Sequence, residues 1–230
     1  MEKGIYFTLS SGKEYFIHDS VFQGVVVAIV LAIFGAIMGS KFKKADYKKK
    51  PTGVMHLVEI FVTWVNKFVD QTMGEGHQAY APYMTTLFIY LIVCNLWGLI
   101  GLTPPTSDYN VTFALAIITF FLIQGTNIIA NGFGNYLKGF LYPFPLFLPM
   151  NIIGEIATPI SLSFRLFGNI LSGVIIMDLV HSVLAHISNF LVPISAVLHI
   201  YFDVFSGLLQ AFIFVMLTMA FVGNTFPEED

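Results

Sequence analysis

Five stretches of this chain run for roughly 20 residues with almost no charge, the length needed to cross a bilayer core as a helix. Hydrocarbon offers no water to the backbone, so each such stretch has to bond its own N–H and C=O groups, and an α-helix does that. The spans read as about 21–39, 83–102, 111–131, 151–186 and 193–222. The last two exceed the length needed to cross upright, which predicts steep tilt. Hydrophobic residues make up 56 % of the 230 positions and charged residues 11 %, with mean hydropathy +0.77. Soluble domains average about 25 % charged residues. The expected fold class is an all-α integral membrane protein, one membrane domain over residues 1–230, with little soluble mass.

One further segment has a different pattern. Over 54–70, Val58, Phe61, Val62, Val65, Phe68 and Val69 recur at helical spacing among His56, Glu59, Asn66, Lys67 and Asp70. Such a helix is amphipathic and suits a membrane surface rather than its interior. It follows a basic cluster, Lys41 to Lys50, of the kind that marks a cytoplasmic face. Lys41, Lys43, Lys44, Lys48, Lys49, Lys50, Lys67 and Lys138 fall on that side, against Lys3 and Lys13 on the other. Five spans then put the N-terminus outside and the tail ending at Asp230 in the cytoplasm. The polar start lacks a cleavable signal pattern, so the first span is expected to be retained. Cys94 is the only cysteine, which rules out an internal disulfide and argues against a sulfur-bound metal.

Within this apolar chain sits one arginine, Arg165, and no lysine lies beyond position 138. A charge near a bilayer centre costs about 2.5 kcal/mol or more. The guanidinium cannot escape by losing its proton, so it needs an anionic partner or a water path. In an antiparallel pairing of the last two helices, Arg165 falls level with Gln210, Asn169 with Ser206, Ser172 with Asp203, and Asp178 with about His199. His199, Asp203, Ser206 and Gln210 share one face of the last helix. Asp178 and His181 stand three residues apart, close enough to touch. Glu155 lies on the other side of Arg165, about 15 Å along the helix at 1.5 Å per residue.

Acid, histidine and amide groups inside a membrane are the parts of ion relays. Two polar tracts flanking one fixed cation suggest two half-pathways. Plainer roles exist for the same residues. Asn169 and Gln210 can bond helix to helix, Glu155 can complement a helix N-terminus, and His181 and His186 can simply be solvated near the outer interface.

The strings Ser161-Leu-Ser-Phe-Arg165-Leu-Phe-Gly-Asn169 and Leu209-Gln210-Ala-Phe-Ile-Phe214, with Gly173 between them, resemble the subunit a family of the rotary ATP synthase membrane sector. The likeness extends over nearly the whole chain, including the basic loop, Asn95 and the Pro/Phe loop at 143–149. It implies a non-catalytic, ion-translocating subunit of a bacterial plasma membrane, with no cofactor, no metal and no nucleic acid. It also implies a c-subunit ring, a b-subunit peripheral stalk and, indirectly, the soluble catalytic sector as partners. Arg165 would face the carboxylates of the c ring, helped by Asn169 and Gln210. The remaining candidates for ion translocation are Asp203, Glu155, Asp178, His181, His199, Ser172 and Ser206.

Three positions depart from the enterobacterial branch of that family. Val174 stands where that branch has a glutamate, Asp203 where it has a histidine, and Gly98 where it has an aspartate. A carboxylate on the last helix thus stands in for one on its neighbour. Two rival readings remain: a secondary transporter, which would show repeated halves and broken helices, and a structural subunit, in which Arg165 pairs with an acid of its own chain.

Overall fold

The computed structural model describes residues 4–8, 14–44, 52–142, 144–187 and 192–226. Lys3, Lys13, Lys48, Lys49, Lys50 and the tail from residue 227 onward lie outside them. Among the described residues, seven α-helices follow a short hairpin: β1 Gly4–Thr8, β2 Glu14–His18, α1 Asp19–Lys44, α2 Val54–Met73, α3 Ala81–Leu96, α4 Tyr109–Asn131, α5 Phe133–Gly139, α6 Leu148–Ile187 and α7 Val192–Gly223. Five segments are long and apolar enough to cross a membrane: Asp19–Lys44, Gln78–Ile100, Tyr109–Asn131, Pro145–Ile187 and Pro193–Gly223. The expected all-α membrane architecture, with five helices able to cross, is therefore present. The hairpin was not expected. β1 and β2 pair antiparallel from Gly4↔His18 to Thr8↔Glu14, within a stretch that reads from sequence only as a polar start.

The helix ends follow from local chemistry. Asp108 caps α4 by accepting the Asn110 N–H at 2.9 Å, so a donor of the first turn is satisfied. Gly132, at φ +74°, stops α4 and turns the chain straight into α5. A residue with a Cβ adopts that backbone only with strain. α6 is 40 residues long. At 1.5 Å per residue that is about 60 Å, twice the thickness of a bilayer core, so α6 cannot stand upright in one.

α7 is the hub, packed against α6, α3, α2 and α4. Its buried seam is Gln210, Ala211, Phe214, Val215, Thr218, Met219 and Val222, recurring every three to four residues. In lipid such a seam gains from close fit more than from water exclusion, since the tails outside are as apolar as the side chains inside. α2 turns Val65, Val69 and Met73 inward, where Phe68 stacks on Phe212 at 5.3 Å and Phe61 on Phe88 at 5.7 Å. His56, Glu59 and Lys67 point away from that contact, exposed. The amphipathic pattern of 54–70 is thus spent on packing as well as on its polar face.

Candidate functional site

The last two helices pair in the register their polar residues suggest. Asn169 Nδ2 donates to Ser206 Oγ at 2.7 Å and reaches the Ser206 carbonyl at 3.4 Å. A Cβ on Gly173 would lie 3.7 Å from the Phe202 ring, and His181 Nδ1 meets Ser195 Oγ at 2.9 Å. The same register, extended one turn, sets Arg165 level with Gln210. Gln210 is buried, and its Nε2 has no hydrogen-bond partner among the described residues.

Arg165 is exposed on α6, and no carboxylate of the described residues forms an ion pair with it. Leu162, Ser163 and Leu166 beside it on the helix are buried, while Ser161, one turn back on its own face, is exposed. The cation therefore stands outward, one turn from the polar Ser161 and Asn169. Pro159, six residues before it, lacks the N–H that would bond the Glu155 carbonyl, which loosens the helix between the two charged groups.

On one side of Arg165, His199 Nδ1 lies 3.3 Å from Asp203 Oδ2. The Asp203 carboxylate nestles against the turn that follows α3, where a Cβ on Gly98 would sit 3.9 Å from its Oδ2. A longer side chain at position 98 would compete for that space. One turn further, Asn95 Nδ2 donates to the Gly207 carbonyl at 2.9 Å, and Asn95 Oδ1 has no partner among the described residues. His199, Asp203, Ser206, Asn169 and Asn95 thus form one polar tract between α3, α6 and α7. Ser172 Oγ donates to the Asn169 carbonyl at 3.0 Å. The expected contact between Asp178 and His181 is not made. His181 bonds Ser195 instead, and the exposed Asp178 forms no ion pair among the described residues.

On the other side lies a cavity of about 590 Å³ between α4, α5, α6 and the end of α7. Glu155 accepts a hydrogen bond there from Gln124 Nε2, and the Tyr136 hydroxyl donates to Gln124 Oε1 at 2.9 Å. Partial burial, and then the charge of Glu155, hold the Tyr136 proton more tightly than usual. A smaller pocket of about 200 Å³ shares Gly154, Thr158 and Phe221 with this cavity and reaches Arg165. The two cavities are thus neighbours, one lined by Glu155 and the other by Arg165. Among the described residues no cluster of His, Cys, Asp and Glu could hold a metal ion.

Gln124, Tyr136 and the bonding role of Asn95 escaped the sequence reading. Gln124 carried a usable signal, being an amide in the middle of an apolar span. Tyr136 carried none, since its loop is rich in aromatic residues throughout.

Residues 21–223 match the family model described as ATP synthase A chain. The chain belongs to that family. Subunit a of Moorella thermoacetica is 34 % identical over 175 residues, covering 76 % of this chain and 77 % of the relative. Its counterpart in Mycoplasma genitalium is 33 % identical over 233 residues, covering 91 % and 80 %. The subunit a of Propionigenium modestum, named as sodium ion specific, is 30 % identical over 221 residues, covering 89 % and 74 %. The chain is thus a multi-pass membrane component of an ATP synthase, in the sector that carries ions.

Proposed function

We propose that this subunit is the non-catalytic stator of a rotary ion motor, with Arg165 as the fixed charge between two half-pathways. The carrying observation is that Arg165 stands exposed on α6, has no ion-pair partner among the described residues, and lies between two separate polar tracts. A buried structural arginine would be paired within its own fold. Here the missing anion is supplied by a passing c-ring carboxylate. A b-subunit stalk holds the stator in place, and the catalytic sector takes up the torque.

The chemistry follows from electrostatics. A neutral carboxyl on the ring faces lipid at little cost, whereas an ionised one does not. Opposite Arg165 the ionised form is stabilised, so the ion leaves through one tract and a new one loads from the other. Because the guanidinium keeps its own proton, it also blocks direct leak between the tracts. Each charge crossing 100 mV supplies about 2.3 kcal/mol, so several crossings combine for each ATP. The His199–Asp203 tract opens outward and the Glu155 cavity opens to the cytoplasm, with α2 along the cytoplasmic surface. That assignment rests on the lysines at the ends of α1 and in α5. The whole chain then acts as one membrane domain, its N-terminus outside and its C-terminus inside.

The test compares Arg165→Ala with Arg165→Lys in complexes of verified subunit content. Coupled pumping and ATP synthesis should vanish in both, with passive leak kept or raised in the alanine variant. The ammonium of lysine loses its proton more readily and lacks the two-donor fork that engages a carboxylate. Normal pumping by the lysine variant would overturn the mechanism.

A further inference from the structure

Gln124 is a buried amide with both ends occupied. Its Nε2 donates to Glu155 of α6, and its Oε1 accepts from Tyr136 of α5. At 8 % exposure it has little access to solvent as an alternative partner. An amide has a direction, because one end only donates and the other only accepts. If it were reversed, Oε1 would face the Glu155 carboxylate, acceptor against acceptor, unless that carboxyl carried its proton. The Tyr136 hydroxyl, by donating to Oε1, supports the orientation that turns N–H toward Glu155.

We infer that Tyr136 is a positioning residue for proton release: acting through the Gln124 amide, it holds Glu155 ready as a carboxylate at the cavity mouth. This rests on reading the cavity as the cytoplasmic half-pathway. When Glu155 takes a proton from the Arg165 side, its new O–H can bond Gln124 only if the amide turns and loses the bond that Tyr136 donates; otherwise it faces the cavity. The geometry therefore favours passing the proton on to the cavity. The O–H bond breaks, the proton passes to solvent in the cavity, and the electron pair stays on the carboxylate facing the Gln124 N–H. The other titratable group lining the cavity is Tyr142, and Asn127, Asn151, Thr158 and Asn224 are uncharged. No second acid or base there takes over the role.

The experiment uses the whole complex in liposomes, with ATP synthesis driven by an imposed gradient and the pH of each side varied independently. Tyr136→Phe keeps the ring, which packs edge-on against Phe140 at 5.1 Å, and removes only the hydroxyl. Synthesis at neutral cytoplasmic pH should fall about five-fold, the net worth of one hydrogen bond. Its dependence on cytoplasmic pH should move to higher pH, while its dependence on the opposite side stays as in wild type. Gln124→Leu should give the same one-sided shift, and the double variant nothing further. A purely structural tyrosine would lower the rate equally at all pH values on both sides, and that result overturns the inference. So does full additivity of the two substitutions. Glu155→Gln separates the levels. If it leaves cytoplasmic pH dependence untouched, the half-pathway reading itself fails. If it changes that dependence and Tyr136→Phe does not, only the positioning role is lost.

Discussion

Gly207→Ala tests whether α3 and α7 cross as closely as the polar tract requires. The added Cβ would lie 3.1 Å from Asn95 Cβ and 3.7 Å from the Asn95 carbonyl carbon. Ordinary carbon contacts are about 3.5–4.0 Å, so one helix has to retreat by roughly half an ångström. Neither atom is the end of a flexible side chain, so no rotamer change relieves the clash. The retreat also stretches the Asn95 Nδ2 bond to the Gly207 carbonyl from 2.9 Å to near 3.5 Å, where it counts for little. Overpacking costs about 1–3 kcal/mol and the lost bond about 1 kcal/mol. The expected destabilisation of the assembled membrane sector is therefore about 2–4 kcal/mol. Thermal dissociation of the sector in detergent measures it, beside ion flux in liposomes. Gly125→Ala serves as the control, because a Cβ there meets nothing within 4 Å and alanine is the better helix former. Equal thermal stability for Gly207→Ala and wild type would refute the close crossing.

Asp203→Asn keeps the shape but removes the charge that faces His199 at 3.3 Å. Flux in both directions should fall about tenfold with assembly retained, in line with about 1.5 kcal/mol for a hydrogen bond to a charged group. Wild-type turnover would route the ion elsewhere. Cysteines at positions 59 and 66 of α2 should react with a membrane-impermeant reagent added from the cytoplasm, whereas cysteines at the buried positions 65 and 69 and the native Cys94 stay silent. Labelling of 59 or 66 from outside would sink the topology.

The register of α6 on α7 was legible because both helices carry polar residues at turn spacing in otherwise apolar runs. Only one antiparallel alignment brings Asn169 to Ser206 and Arg165 to Gln210, and the Asn169–Ser206 bond follows it. The pairing of His199 with Asp203 was likewise local, four residues along one helix. The expected meeting of Asp178 and His181 failed for a tertiary reason. Ser195, on the facing helix, offers His181 a hydrogen-bond partner that the sequence spacing could not reveal. The hairpin at the start stayed hidden because its apolar triplets, Ile5-Tyr6-Phe7 and Tyr15-Phe16-Ile17, are too short to announce strands on their own.

The sequence by itself determined that this chain crosses a membrane as helices, because apolar length and the backbone's need for hydrogen bonds allow little else. It also singled out the lone arginine, because a permanent charge in lipid is costly to keep. What the tertiary structure decided was which distant polar groups meet. Gln124, Tyr136 and Glu155 come from three separate elements, and the break at Gly132 helps set α5 back against α4 so that their side chains touch. Helical periodicity tells which residues share a face of one helix. It does not tell which face of another helix, or which loop, that face will meet, since that depends on close packing over the whole bundle.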